Sequence, residues 1–221
     1  MSNFPEIPKH LRIIDQTNWN EYYYIGPGDE CLYVWERMSQ VKSGDWNKYP
    51  TNGFISNLQI PIGCKTENPY RFKHKRPAIN HAAKALGELL PELREVGTFV
   101  PVPPSKPKED AEHDDRLVRV LKAVRPPLAD IRELVLQREG WDAKEKGRRP
   151  EDRAQNYYIN EDETHPEPRL ILVFDDVLTT GSHFKALKLV LGERFPNARI
   201  CGVFLARAVR PPQDEGFEIW E

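Results

Sequence analysis

Apolar runs of strand length alternate with stretches of helical period from about residue 77 onward, and this alternation predicts an α/β protein. The clearest stretch is Leu170-Ile-Leu-Val-Phe174, a continuous apolar strand that ends in two aspartates. Gly181 and Ser182 then open a helix with Phe184, Leu187, Leu191 and Phe195 on its inner face, and 200–206 reads as the next buried strand. Upstream, Ile79, Ala82, Leu86, Leu89, Leu90 and Leu93 recur at helical spacing, predicting a helix from Pro77 to near Leu93. Thr98-Phe-Val-Pro-Val102 reads as a buried strand whose prolines mark its exit. Leu117, Leu121 and Val124 indicate a further helix, with Asp114 or Asp115 as its cap. Strands that are apolar throughout, separated by helices, imply a central, mostly parallel sheet covered on both faces.

Two regions break this rhythm. Residues 1–70 are rich in aromatics, Pro, Asn and Gly, and the runs 22–25, 31–35 and 53–58 read as short antiparallel strands. They predict a small β-rich N-terminal lobe over 1–70, a candidate hood packed by Trp19, Trp35 and Trp46, ahead of an α/β domain over 71–221. Residues 137–168 are polar and charged, and predict a long loop of the kind that serves as a lid or a solvated insert.

Composition adds bounds rather than identity. The 221 residues are 39% hydrophobic and 30% charged, enough for one sizeable core. A net charge of −2 argues against a nucleic-acid partner, although Arg71-Phe-Lys-His-Lys-Arg76 is a local basic cluster. Cys31, Cys64 and Cys201 are far apart and odd in number, so neither a disulfide framework nor a zinc site is indicated, and Cys201 is expected in the core. No run approaches a membrane span and the first residues lack a signal pattern, so a cytoplasmic protein with no membrane partner is the expectation.

The chemistry concentrates where the strand ending at Phe174 gives way to its helix. Ligands of open α/β sheets sit beyond the carboxyl ends of the strands. There Asp175 and Asp176 could accept hydrogen bonds from vicinal sugar hydroxyls. Thr179, Thr180, Gly181 and Ser182 supply hydroxyls and helix-entry N–H groups that favour a phosphate. Hydroxyl recognition beside phosphate recognition is what a sugar 5-phosphate requires. The alternative is an ordinary capped helix after a strand, a blander reading of the same run.

This run, hydrophobics followed by Asp175-Asp176, two spacers and Thr179-Thr180-Gly181-Ser182, resembles the phosphoribosyl pyrophosphate loop of type I phosphoribosyltransferases, with His183 where members often carry Thr. Within that superfamily the chain is similar to the ComF-type, amidophosphoribosyltransferase-like proteins. Phe72-Lys73 resembles their entry to the first helix, Val100-Pro-Val-Pro-Pro-Ser105 their pyrophosphate loop, and Arg153-Ala-Gln-Asn156 their Arg-x-x-Asn motif. The resemblance covers roughly residues 72–206. It departs where Glu112-His-Asp-Asp-Arg116 replaces an Arg-Gly-Phe-Asn pattern, and in lacking the cysteines of an N-terminal zinc ribbon.

The resemblance implies a phosphoribosyltransferase fold and the transfer of phosphoribose from Mg²⁺-bound phosphoribosyl pyrophosphate to a nitrogen acceptor, a nucleobase or ammonia. In that scheme Asp175 and Asp176 hold the ribose and act at the reacting centre. Thr179, Thr180, Gly181 and Ser182 hold the 5-phosphate. Ser105 and Lys106, helped by Lys73, face the pyrophosphate, and Arg148, Arg149 and Arg153 belong to a closing lid. Mg²⁺ is bound through the ligand, with no dedicated protein metal site, and a second copy of the chain is a candidate partner. Two other readings stay open: a non-catalytic module of the same fold that senses phosphoribosyl pyrophosphate or a nucleotide, and a ComF-like accessory protein of nucleic-acid handling.

Overall fold

The computed structural model describes residues 4–41, 48–140 and 149–210. They form an α/β architecture around a mixed six-stranded sheet, mostly parallel and flanked by helices. The strands of the sheet are β1 (Arg12–Ile14), β2 (Glu30–Met38), β3 (Thr98–Pro101), β4 (Asp130–Ile131), β7 (Leu170–Leu178) and β8 (Arg199–Val209). A separate antiparallel pair joins β5 (Val135–Gln137) to β6 (Tyr157–Ile159). The order across the sheet is β1-β2-β8-β7-β3-β4, antiparallel only between β1 and β2. The helices are α1 (Pro50–Leu58), α2 (Cys64–Glu67), α3 (Pro69–Phe72), α4 (Lys75–Leu89), α5 (Leu93–Val96), α6 (Arg116–Ala123), α7 (Pro150–Asn156) and α8 (Ser182–Arg194).

The continuous apolar run of β7 follows from its central place, with β8 on one side and β3 on the other. Ile171, Leu172, Val173 and Phe174 are buried, as are Phe99 and Val100 on β3 and Val203, Phe204, Leu205 and Ala206 on β8. Helix α8 runs where its apolar period predicts, and it buries Phe184, Leu187 and Leu191. Helix α4 stops four residues short of Leu93, one residue before Leu90-Pro91, because the residue ahead of a proline is pushed away from helical backbone.

The N-terminal region corrects three expectations. β1 and β2 are strands of the central sheet rather than of a lobe of their own, since β2 runs parallel to β8 from Glu30↔Cys201 to Met38↔Val209. The run at 53–58 is helical: Pro50 opens α1, and Phe54 and Ile55 lie one helical turn before Leu58 and bury together with it. The run at 22–25 forms no strand; it is a bend that braces the start of α8. Trp35 packs edge-on to Phe54 and stacks on His81, tying β2 to α1 and α4, while Trp19 is partly buried; Trp46 lies outside the described residues. The described part of the polar stretch 137–168 carries α7 and β6, which pack against α8, in place of a structureless loop. Among the described residues no helix is long and apolar enough to cross a membrane.

Candidate functional site

The cleft exists because two neighbouring strands end at different heights. β3 leaves the ladder at the pair Pro101↔Phe174, where Val102 still donates to the Phe174 carbonyl at 2.9 Å. Pro103 and Pro104 follow; without N–H groups they cannot continue the pairing. β7 runs on, held by β8 alone through Asp175↔Phe204, Val177↔Ala206 and Leu178↔Arg207. Beside the abandoned edge of β7 opens a cleft of about 640 Å³, lined by residues 102–105 from β3's exit, 113–118 around the start of α6, and 175–184.

The two aspartates therefore lie within the strand rather than past its end. Consecutive strand residues point to opposite faces, yet both line the cleft because it wraps around this unpaired edge. They are only 8% and 5% exposed. Asp175 has the imidazole Nδ1 of His183, on α8, at 3.7 Å, and its Oδ1 accepts from the Asp176 N–H at 2.8 Å. The hydrogen bonds to the Asp176 side chain among the described residues all land on Oδ2: from Gln59 Nε2 at 3.0 Å and from Arg116 Nε at 2.9 Å, with Arg116 Nη2 at 2.8 Å.

These surroundings split the pair electrostatically. Burial and then the neighbouring Asp176 charge push Asp175 above the ordinary aspartate range, against the opposing pull of His183. Burial would raise Asp176 too, but the Arg116 charge, with hydrogen bonds from Gln59 and Arg116, outweighs it and holds this carboxyl below the usual range. At neutral pH Asp176 is thus the firmly ionised member.

The helix entry beside the acids has the form of an anion cradle. Gly181 is left-handed, with φ +84°, a conformation costly for residues with a Cβ. A Cβ there would also meet Cδ1 and Cγ1 of Ile25 at 2.6 Å. The Thr180 carbonyl accepts from Tyr24 N–H at 2.9 Å, so the bend at 22–28 holds the turn from outside. That bend is itself tied to α8: Asp29, its side chain 1% exposed, accepts from Lys185 and Lys188 at 2.8–3.1 Å and from Gly26 N–H at 3.0 Å. Thr179 and Thr180 are exposed at the cleft, and the first N–H groups of α8 have no partner within the helix.

A second layer of charge supports the acids. Lys75, the first residue of α4 and 1% exposed, donates at 2.8 Å to the carbonyls of Leu58 and Ile60 and to Asp114 Oδ2. Asp114 Oδ2 also accepts from Arg116 Nη1 at 3.1 Å, and its Oδ1 from the Arg116 N–H at 3.2 Å, so Asp114 rather than the N-cap Asp115 meets the start of α6. Burial draws the Lys75 ammonium below its ordinary range, with Asp114 opposing the shift.

The other residues singled out from sequence divide. Ser105 lines the cleft with Asp175, Asp176, Thr179, Thr180, Gly181 and Ser182, and Arg153 joins them, its Nε donating to Ser182 Oγ at 2.9 Å. Lys106 faces an adjacent small hollow, its carbonyl 2.9 Å from His113 Nδ1. Lys73 does not line the cleft; its ammonium sits 3.5 Å from the centre of the Tyr70 ring. Arg149 borders a different groove, which Thr179 and Thr180 also line, and Arg148 lies outside the described residues. Gln59, Lys75, Asp114 and Arg116 were not foreseen as site residues. For Lys75, Asp114 and Arg116 the one hint is charge placed at helix entries next to apolar faces; Gln59, uncharged and at the end of α1, carries no such hint. Compared with known proteins, the chain matches no family model and no curated protein.

Proposed function

We propose that this cleft binds phosphoribosyl pyrophosphate together with Mg²⁺, and that the protein is a phosphoribosyltransferase of the type I fold acting on a nitrogen acceptor. The carrying observation is that paired buried acids and a glycine-opened helix entry share one cleft wall: Asp175 and Asp176 on the strand extension, 179–182 immediately after. Acids that accept from vicinal hydroxyls, next to donors that face a phosphate, match a ribose 5-phosphate end to end.

The charge lining the cleft fits a metal-bound ligand. Asp114, Asp115, Glu133, Asp175 and Asp176 outnumber Arg37, Arg116 and Arg153. A bare polyanion would meet repulsion there, and a divalent cation bound to it would lessen that repulsion. Mg²⁺ would be held by the phosphate oxygens and neutralise the departing pyrophosphate. The chain's own residues would orient the rest. Asp175 and Asp176 fix the ribose, the cradle and Arg153 fix the 5-phosphate, and Ser105 borders the pyrophosphate end. In the transfer, the acceptor nitrogen forms a bond to the anomeric carbon as that carbon's bond to the pyrophosphate oxygen breaks, and pyrophosphate leaves with the electron pair. Positioning and charge neutralisation are the protein's share of the catalysis.

The test is calorimetric titration of Mg²⁺-phosphoribosyl pyrophosphate, followed by measurement of pyrophosphate release with a panel of nucleobases and with ammonia. Binding is expected to be abolished in the double variant Asp175→Asn/Asp176→Asn with its circular dichroism unchanged. Unaltered affinity in that variant would refute the site. Tight binding with no pyrophosphate release for any acceptor would assign the cleft to sensing rather than transfer.

A further inference from the structure

The buried charges behind the acids close into a ring, and the ring has one keystone. Lys75 Nζ grips the carbonyls of Leu58 and Ile60, the two neighbours of Gln59, whose side chain donates to Asp176 Oδ2. The same ammonium grips Asp114 Oδ2, which holds Arg116 Nη1, and Arg116 delivers two further donors to that same Asp176 oxygen. Two arms thus leave one buried cation and converge on one atom, through residues 39 and 60 positions apart in sequence. Hydrogen bonding on Oδ2 fixes the carboxylate rotamer and leaves Oδ1 with no protein hydrogen bond among the described residues.

A lysine whose side chain is 1% exposed is an expensive way to fill space: burial of an ammonium is unfavourable unless its donors are all used. Here all three are used, and none touches the cleft directly, since Lys75 does not line it. An apolar side chain could fill the volume, but it could not hold the Gln59 backbone and the Asp114 carboxylate in one arrangement.

We propose that Lys75 is a positioning residue for sugar recognition: through Gln59 on one arm and Asp114–Arg116 on the other, it sets the orientation of Asp176 toward the ribose hydroxyls, leaving the phosphate cradle untouched. This rests on the ribose 5-phosphate reading of the cleft. The two functions separate because the cradle is braced by Tyr24, Ile25 and Asp29 and touched by Arg153 at Ser182, none of which belongs to the ring.

That separation supplies the experiment. The full chain is titrated calorimetrically with two probes, ribose 5-phosphate and inorganic phosphate, and folding is checked by circular dichroism and thermal melting. Wild type is expected to prefer ribose 5-phosphate. Lys75→Met should weaken ribose 5-phosphate by about tenfold, as loss of a charge-assisted hydrogen bond would, with inorganic phosphate unchanged within about twofold. Should Lys75→Met not fold, Asp114→Asn and Gln59→Leu cut the two arms singly, and each should lower the preference for ribose 5-phosphate in the same probe-selective way. Equal loss for both probes, or no loss for either, overturns the positioning role while leaving the reading of the cleft standing. A folded wild type that fails to distinguish ribose 5-phosphate from phosphate overturns the reading itself, and the positioning role with it.

Discussion

Replacing Gly181 with alanine strikes the cradle at its most constrained residue, and the structure sets the size of the effect. The backbone there is at φ +84°, where a non-glycine residue loses about 1–2 kcal/mol. The new Cβ would stand 2.6 Å from both Cδ1 and Cγ1 of Ile25, and overpacking of that kind costs about 1–3 kcal/mol. Ile25 is 6% exposed and its own N–H lies 3.5 Å from the added atom, so it has little room to retreat. The sum, about 2–5 kcal/mol, is a large part of the stability of a domain this size. Urea unfolding followed by circular dichroism measures it, provided the slope of the transition is unchanged. The two contributions are separable. Ile25→Ala removes the clashing atoms, so Gly181→Ala/Ile25→Ala should lose about 1–3 kcal/mol less than the sum of the single variants. A cost under about 1 kcal/mol for Gly181→Ala would refute both the left-handed turn and the brace, whereas additivity in the double variant would refute the brace alone.

Other expectations follow from the same geometry. Asp175 has its pKa raised in the folded state, so its ionisation opposes folding: stability is lost as pH rises from the unfolded aspartate value, about 3.9, through the folded one. Asp175→Asn should therefore raise the melting temperature at pH 7, and the gain should shrink as the solution is acidified toward that unfolded value. A gain that is absent, or constant with pH, would contradict the assignment. Asp29→Ala strips Lys185, Lys188 and Gly26 of their shared acceptor and should cost about 1–3 kcal/mol in denaturant unfolding; a neutral result would show that the tether carries nothing. Chelating Mg²⁺ should weaken phosphoribosyl pyrophosphate in titration far more than raising monovalent salt does, because the cleft itself is richer in carboxylates than in guanidiniums. Lys73→Met should leave affinity unchanged, since its ammonium sits on Tyr70 away from the cleft.

The sheet's centre and the helix entry were legible because both are local. A fully buried strand is apolar throughout, and a left-handed turn into a helix favours glycine, so β7, Gly181 and α8 are visible within the 25 consecutive letters from Leu170 to Arg194. The run at 53–58 carried a helical signal as well, in Pro50 and the spacing of Phe54, Ile55 and Leu58, but the aromatic and β-branched residues around it favoured a strand reading. Gln59, Lys75 and Arg116 were out of reach for a different reason. Their meaning lies in contacts with Asp176 and Asp114 that span 39 to 117 positions, and nothing in the local pattern distinguishes a helix-entry lysine that is solvated from one that is sealed in. Lys73 and Lys75 show the point, two residues apart with opposite fates: one on an exposed tyrosine, the other in the core.

The bend at 22–28 lies more than 150 positions ahead of the loop it supports, and three separate contacts fasten it there: Tyr24 to Thr180, Ile25 against Gly181, and Asp29 to the lysines of α8. Loading and unloading of the cradle should therefore register in the early part of the chain. The Tyr24 amide in particular should exchange with deuterium more slowly when an anion is seated. A version of the protein trimmed ahead of Glu30 would keep the strands at the heart of its sheet but lose the outer wall of the loop. Such a truncation could look folded by spectroscopy and still fail to bind.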